Sequence, residues 1–208
     1  MTTAESIDAV AEVAAITATL KERVDPAYEA GMRRTVPSQQ PAHAVRVPEI
    51  RRVSIIWARD HKAAPYEDLL VVAETLWRTG WREERIVAMG ILERSSAARA
   101  RLPWAVIERW TSEIDNWEHV DNLASMLIAP MLRARPDLIR DVEAMSSSAH
   151  VWQRRAALVT LIYAARADAG WLPQLRAMTA ALKGDRGPTM RKAVDWARRT
   201  ADKVGPEA

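Results

Sequence analysis

Trp117 and Asp121 stand four residues apart in Asp115-Asn116-Trp117-Glu118-His119-Val120-Asp121, so a helix through this stretch sets an aromatic face beside a carboxylate. A carboxylate can stabilise a developing cation or take a proton, and indole is the best aromatic partner for positive charge. Two later groups carry complementary chemistry: Val151-Trp152-Gln153-Arg154-Arg155-Ala156 and Arg191-Lys192-Ala193-Val194-Asp195-Trp196. At about 100° per residue, Arg155 flanks the stripe of Trp152, Ala156, Val159 and Tyr163, while Arg154 is rotated about 200° from Trp152. This aims Arg155 at neighbouring helices or a shared groove and leaves Arg154 more freely solvated. Lys192 and Trp196 again share a face, four residues apart.

Each of these residues also has a plain structural reading. Trp117 and Trp196 can be core, Asp121 can pair with an arginine of a neighbouring helix, and Arg155 can be the buried partner of a carboxylate. Asp115 reads as the cap of the following helix, with Glu118 three residues on completing a capping-box-like pattern. That accounts for Asp115 and Glu118 but leaves Asp121, a poor residue for a helix interior.

Other chemistries find little to work with. The four histidines, His43, His61, His119 and His150, lack metal-ligand spacing. Ser146-Ser147-Ser148 reads as a polar cap before a helix. With seven glycines there is neither a phosphate-cradling loop nor a dinucleotide fingerprint. The absence of cysteine excludes disulfides, thiolate zinc sites and a cysteine nucleophile, and fits a reducing cytoplasm. No cofactor or metal is expected.

The elements that must position these groups read as helix after helix. Apolar positions recur at helical spacing over 4–23, 26–35, 48–62, 65–78, 82–98, 103–113, 117–133, 137–146, 150–167, 171–183 and 188–203. In 48–62 the buried face is expected at Ile50, Val53, Ile56 and Trp57. Val36-Pro37-Ser38-Gln39-Gln40-Pro41-Ala42-His43 has two prolines and reads as an exposed loop over 36–46. No stretch alternates like a strand. Short helices joined by short turns predict one all-α domain over 1–208, an α-solenoid of antiparallel pairs with 1–25 as its N-terminal helix. A compact helical bundle is the alternative. Trp57, Trp77, Trp104, Trp110 and Trp152 are the expected core tryptophans.

The N-terminus has no basic segment followed by an apolar run, and no apolar stretch reaches the roughly 18 residues of a membrane span. Net charge is −4 over 1–30, +1 over 31–131 and +6 over 132–208, within a total of +3. A basic C-terminal third suggests a polyanion partner, against the plain alternative of solubilising charge.

Trp117-x-x-x-Asp121 after Ile114-Asp115-Asn116, then Trp152-x-x-Arg155-Ala156, then Lys192-Ala193-Val194-x-Trp196 resembles the motif series of the AlkD-like DNA alkylation-repair glycosylases. Val45-x-Val47-Pro48-Glu49-Ile50-Arg51 and Leu76-Trp77-Arg78-x-x-Trp81-x-Glu83-Glu84-Arg85 are similar to that family's earlier segments, in the same order. The resemblance runs from about residue 28 to 203. It implies HEAT-like repeats with a concave basic face, double-stranded DNA as partner, and hydrolytic excision of cationic N3- or N7-alkylated purines without a base-flipping pocket. By the same resemblance Asp121 is the catalytic carboxylate, Trp117 and Trp196 flank lesion and sugar, and Arg155 holds a phosphate, with Arg154 and Lys192 as further phosphate ligands. Departures fall at Ala30-Gly31 and His43-Ala44, where the family often has aromatics, and concern the N-terminal DNA contacts. The expected state is a cytoplasmic monomer, nucleoid-associated on DNA, with no membrane contact. The competing expectation is a non-catalytic helical scaffold that binds DNA or protein.

Overall fold

A computed structural model of the chain describes residues 7–205. Every regular element among them is helical, apart from an isolated bridge between Val24 and Val45. The described residues group into two compact units that meet in sequence between Arg101 and Leu102.

The first unit opens with α1 (Ala9–Lys21), whose first turn is capped by the Asp8 carboxylate accepting from the amides of Val10 and Ala11. The expected start at residue 4 lies outside the described residues. Asp25 caps α2 (Pro26–Thr35) in the same way, with Pro26 at the first helical position. Then come α3 (Val47–Asp60), α4 (Tyr66–Arg78), α5 (Arg82–Glu93) and the short α6 (Ser96–Arg101). Ile50, Val53 and Trp57 of α3 are buried as expected, but Ile56 is 39% exposed because it falls at the rim of that face. The helix expected over 82–98 is two. Ser95 Oγ accepts the Ala98 amide and so starts a new helix, while Arg99 donates to the Glu93 carbonyl at the end of the old one.

From Arg82 to Leu92, α5 is buried all round and packs on α3 and α4. Its glycine is needed there: a Cβ on Gly90 would stand 2.5 Å from Ser54 Oγ and 2.8 Å from Ser54 Cβ. The buried charges at its start hold the preceding loop. Glu83 accepts from the amides of His43 and Val45, Arg82 bridges Glu83 and the Val45 carbonyl, and Arg82 N–H donates to Pro41. Segment 36–46 is therefore not exposed throughout, since Val36, Ala44 and Val45 are buried. Ala44 is driven to φ +65°, a left-handed conformation costing an alanine about 1 kcal/mol, by having both flanking amides on one carboxylate. His43 stacks flat on Trp81, at 4.0 Å and 3°, and its Nε2 lies 2.9 Å from Glu84.

The second unit contains α7 (Trp104–Ser112), α8 (Trp117–Leu123), a π-helical turn (Ala124–Ile128), α9 (Ala129–Ala134), α10 (Ile139–Ser146), α11 (Val151–Ala167), α12 (Leu172–Ala181) and α13 (Pro188–Val204). The π turn has a local cause. Pro130 has no N–H and its ring would strike the carbonyl four residues back in a regular helix. Widening the preceding turn, so that Ala129 N–H reaches Ala124 five residues back, keeps α8 and α9 continuous through the proline.

α11 is the centre of this unit. Arg155 to Ile162 are buried without a break, and the helix packs on α7, α8, α9, α10, α12 and α13. Successive helices packed in sequence order within each unit bear out the all-α, solenoid-like class. Of the tryptophans expected in the core, Trp57, Trp77 and Trp110 are buried. Trp104 and Trp152 are only half-buried, because each sits at the first turn of a helix where the chain enters from the surface.

Candidate functional site

The side chains singled out by chemistry lie on three helices of the second unit. α8 begins one residue later than a cap at Asp115 requires. Asn116 is the cap, its Oδ1 accepting the His119 amide at 2.9 Å, and Asp115 instead accepts from Asn116 Nδ2 at 3.1 Å. Glu118 does not close a capping box; it is buried, at the second helical position. The cap at Asn116 sets Trp117 at the very start of the helix, where the residue is 37% exposed. One turn on, Asp121 lies on the same side, about 6 Å further along the axis.

Asp121 is held from α11. Arg155 Nε donates to Asp121 Oδ1 at 3.0 Å and Nη2 to Oδ2 at 2.9 Å, a two-pronged pairing matched to an ionised carboxylate. Arg155 Nη1 donates to the Thr189 carbonyl at 3.0 Å, so one guanidinium joins α8, α11 and the first turn of α13. The pair is mostly enclosed, with side-chain exposures of 7% for Arg155 and 17% for Asp121. Burial pushes the Asp121 carboxyl above the ordinary aspartate range, and the hydrogen bonds and charge of Arg155 oppose this without cancelling it.

Arg154 is not the freely solvated arginine that helical geometry suggested. Nε and Nη2 both donate to Asp185 Oδ2, at 2.9 and 2.8 Å, and Nη1 donates to the carbonyls of Ser148 and Ala149. It thus ties the loop between α10 and α11 to the loop before α13. Asp185 Oδ1 in turn accepts the Gly187 amide at 3.2 Å, just ahead of Pro188. Burial raises the Asp185 carboxyl, but Arg154 and the Gly187 amide outweigh it and hold it below the ordinary range.

On α13, Lys192 is exposed and Trp196 is half-buried. Thr189, Lys192 and Trp196 fall on one face at spacings of three and four residues. Trp196 meets Tyr163 of α11 edge to face, with ring centroids 5.6 Å apart and planes at 89°. The structure therefore brings Asp121 and Arg155 into direct contact, joins them to α13 at Thr189, and turns Arg154 to Asp185.

Four participants escaped the sequence reading: Asn116, Tyr163, Asp185 and the Thr189 carbonyl. Asp185 left a readable trace, because Gly184-Asp185-Arg186-Gly187 is a turn sequence whose aspartate can accept the backbone amide two residues on. Among the described residues, no group of three or more His, Asp or Glu is placed to hold a metal ion, and no helix is long and apolar enough to cross a membrane.

The chain is thus all-α, with a braced, enclosed carboxylate on α8 one turn from the exposed Trp117. A family profile described as DNA alkylation repair enzyme matches residues 16–208, and the chain belongs to that family. No curated protein matches the chain.

Proposed function

We propose that the protein is a DNA glycosylase that removes cationic N3- and N7-alkylated purines from duplex DNA by hydrolysing the N-glycosidic bond. The observation that carries this reading is the Asp121 carboxylate, enclosed and held by Arg155 one turn from the exposed Trp117. Membership of a DNA alkylation repair family supports the substrate class.

The chemistry needs little more than these groups. An alkylated purine already carries the positive charge that a general acid would otherwise supply, so the second carboxylate of an ordinary glycosidase is dispensable. The C1′–N bond breaks with its electron pair passing to the purine, which leaves neutral. The cation that develops on the deoxyribose is stabilised by Asp121, whose charge is felt strongly in an enclosed site. Water adds at C1′ and gives its proton to Asp121 or to solvent, leaving an abasic site.

The electron-rich faces of Trp117 and Trp196 flank the cationic lesion and sugar. Arg155 has a second duty beyond bracing Asp121, since three of its five N–H donors are accounted for by Asp121 and Thr189 and two remain for a DNA phosphate. Lys192, exposed on the Trp196 face, is the other phosphate ligand. Arg154 reaches a phosphate only by giving up Asp185. An exposed indole beside the carboxylate suits a lesion left largely stacked rather than flipped into a closed pocket.

The pairing of Asp121 with an arginine of a neighbouring helix is also what a non-catalytic scaffold would use, whereas an indole exposed at the helix start is not what a core role for Trp117 predicts. Incubation with methylated duplex DNA distinguishes the two readings. The glycosylase releases free 7-methylguanine or 3-methyladenine and leaves alkali-labile sites; a scaffold binds the duplex and releases neither.

A further inference from the structure

We propose that Tyr163 is a positioning residue that fixes the plane of the Trp196 indole and thereby sets how well the site grips a cationic lesion. This rests on the glycosylase reading above and extends it to a residue with no other part in the site.

α11 and α13 are joined at two points. Arg155 meets the Thr189 carbonyl, and eight residues further along α11 Tyr163 meets Trp196, seven residues further along α13. Both contacts advance in the same direction, so the helices run parallel here and their register is pinned over roughly 10–12 Å. The first contact fixes the backbone of α13. It leaves the two side-chain torsions of Trp196 open, and a half-buried indole is not held by enclosure.

The ring of Tyr163 supplies the missing constraint. At 5.6 Å and 89° the pair has the edge-to-face geometry that ring quadrupoles favour, and any swing of the indole breaks it. Tyr163 is itself held by a second contact, the Arg166 guanidinium lying 5.8 Å from its ring centroid. A tryptophan that faces a cation has to present its face, not its edge, and the orientation of Trp196 is therefore a determinant of rate.

The test is a double-mutant cycle between Tyr163 and Trp196, with kcat/KM measured on duplex containing 7-methylguanine. An aromatic pair of this kind is worth about 3–10-fold. Tyr163→Met, which keeps the volume and loses the ring, is expected to lower kcat/KM by about that factor, and Tyr163→Phe to stay within about twofold of wild type. On a Trp196→Ala background Tyr163→Met is expected to change nothing further.

A readout independent of activity is the fluorine resonance of Trp196 in 5-fluorotryptophan-labelled protein, assigned by its loss in Trp196→Ala. It is expected to shift or broaden in Tyr163→Met and to stay put in Tyr163→Phe. Wild-type kinetics in Tyr163→Met, full multiplication of its loss with that of Trp196→Ala, or an unmoved resonance overturns the positioning role. If Tyr163→Met does not fold, a Tyr163→Phe resonance or rate far from wild type does the same. Absence of base release by the wild type, with the Trp196 resonance still moved by Tyr163→Met and unmoved by Tyr163→Phe, would instead overturn the glycosylase assignment and leave the positioning of Trp196 by Tyr163 standing.

Discussion

At the scale of single residues the site is a pair, and neither member can be understood alone. Arg155 keeps Asp121 oriented and charged in a setting that works against charge, and that opposition makes a pH prediction. Because burial raises the Asp121 carboxyl, the acid limb of the glycosylase rate profile should fall above the ordinary aspartate range, activity being lost as pH drops through the raised value. The same shift has a signature in stability. The folded state holds the Asp121 proton more tightly than the unfolded chain, so this contribution is fully present below the unfolded pKa and is lost as pH rises through the folded one. Denaturant titrations of wild type and Asp121→Asn across that window should show the variant gaining on wild type as pH rises; a difference that is flat with pH would mean the carboxyl is not shifted. Arg155→Ala should weaken binding to duplex DNA and reduce the salt dependence of log K by about 0.9, the share of one phosphate. Affinity unchanged at every salt concentration would make Arg155 purely a brace for Asp121.

At the scale of elements, the helices hold the site through their ends. Asn116 sets where α8 starts and therefore which way Trp117 faces, and Asp185 closes the turn that leads into α13 by accepting the Gly187 amide. Arg154→Gln separates two roles for its side chain. If Arg154 is a clamp, as its bonds to Asp185, Ser148 and Ala149 indicate, thermal stability falls by about 1–3 kcal/mol while DNA affinity measured below the melting range is kept. Loss of affinity with stability intact would return it to the phosphate ligands. In the first unit, Gly90→Ala should cost about 1–3 kcal/mol in a urea titration despite alanine's better helix propensity, because the added methyl meets Ser54. A neutral or stabilising effect there would mean that α3 and α5 can part without loss.

Helix identity and order were legible because apolar spacing over ten or more residues is a strong local signal. Less legible were features decided by one side chain reaching its own backbone: the cap at Asn116 rather than Asp115, and the break made by Ser95. The site followed the same division. Type and spacing singled out Asp121, Trp117 and Arg155 as candidates while their roles came only from the family resemblance, and the structural reading of an Asp121–arginine pair is what the bonds show. That Arg154 belongs to Asp185 could not be read, because the two lie 31 residues apart and only folding brings them together.

At the scale of the whole molecule, the basic charge is concentrated in the C-terminal third, +6 over 132–208 against −4 over 1–30, and the candidate site lies in the same half of the chain. A basic C-terminal third suits the polyanion that a DNA alkylation repair enzyme meets. The N-terminal unit differs in kind. Where the AlkD-like pattern often carries an aromatic before Val45, this chain has His43 stacked on Trp81 and paired with Glu84, which gives that position a structural duty.

The central claim is that the Asp121 carboxylate drives base excision. It is tested most directly by release of free 7-methylguanine from methylated duplex DNA by wild type and by Asp121→Asn, with DNA binding checked for both. The account predicts release by wild type and a fall of at least about 100-fold in the variant, the scale expected when a charge aimed at a developing cation is removed, with the duplex still bound. Release by Asp121→Asn at the wild-type rate, or none by wild type, would contradict it.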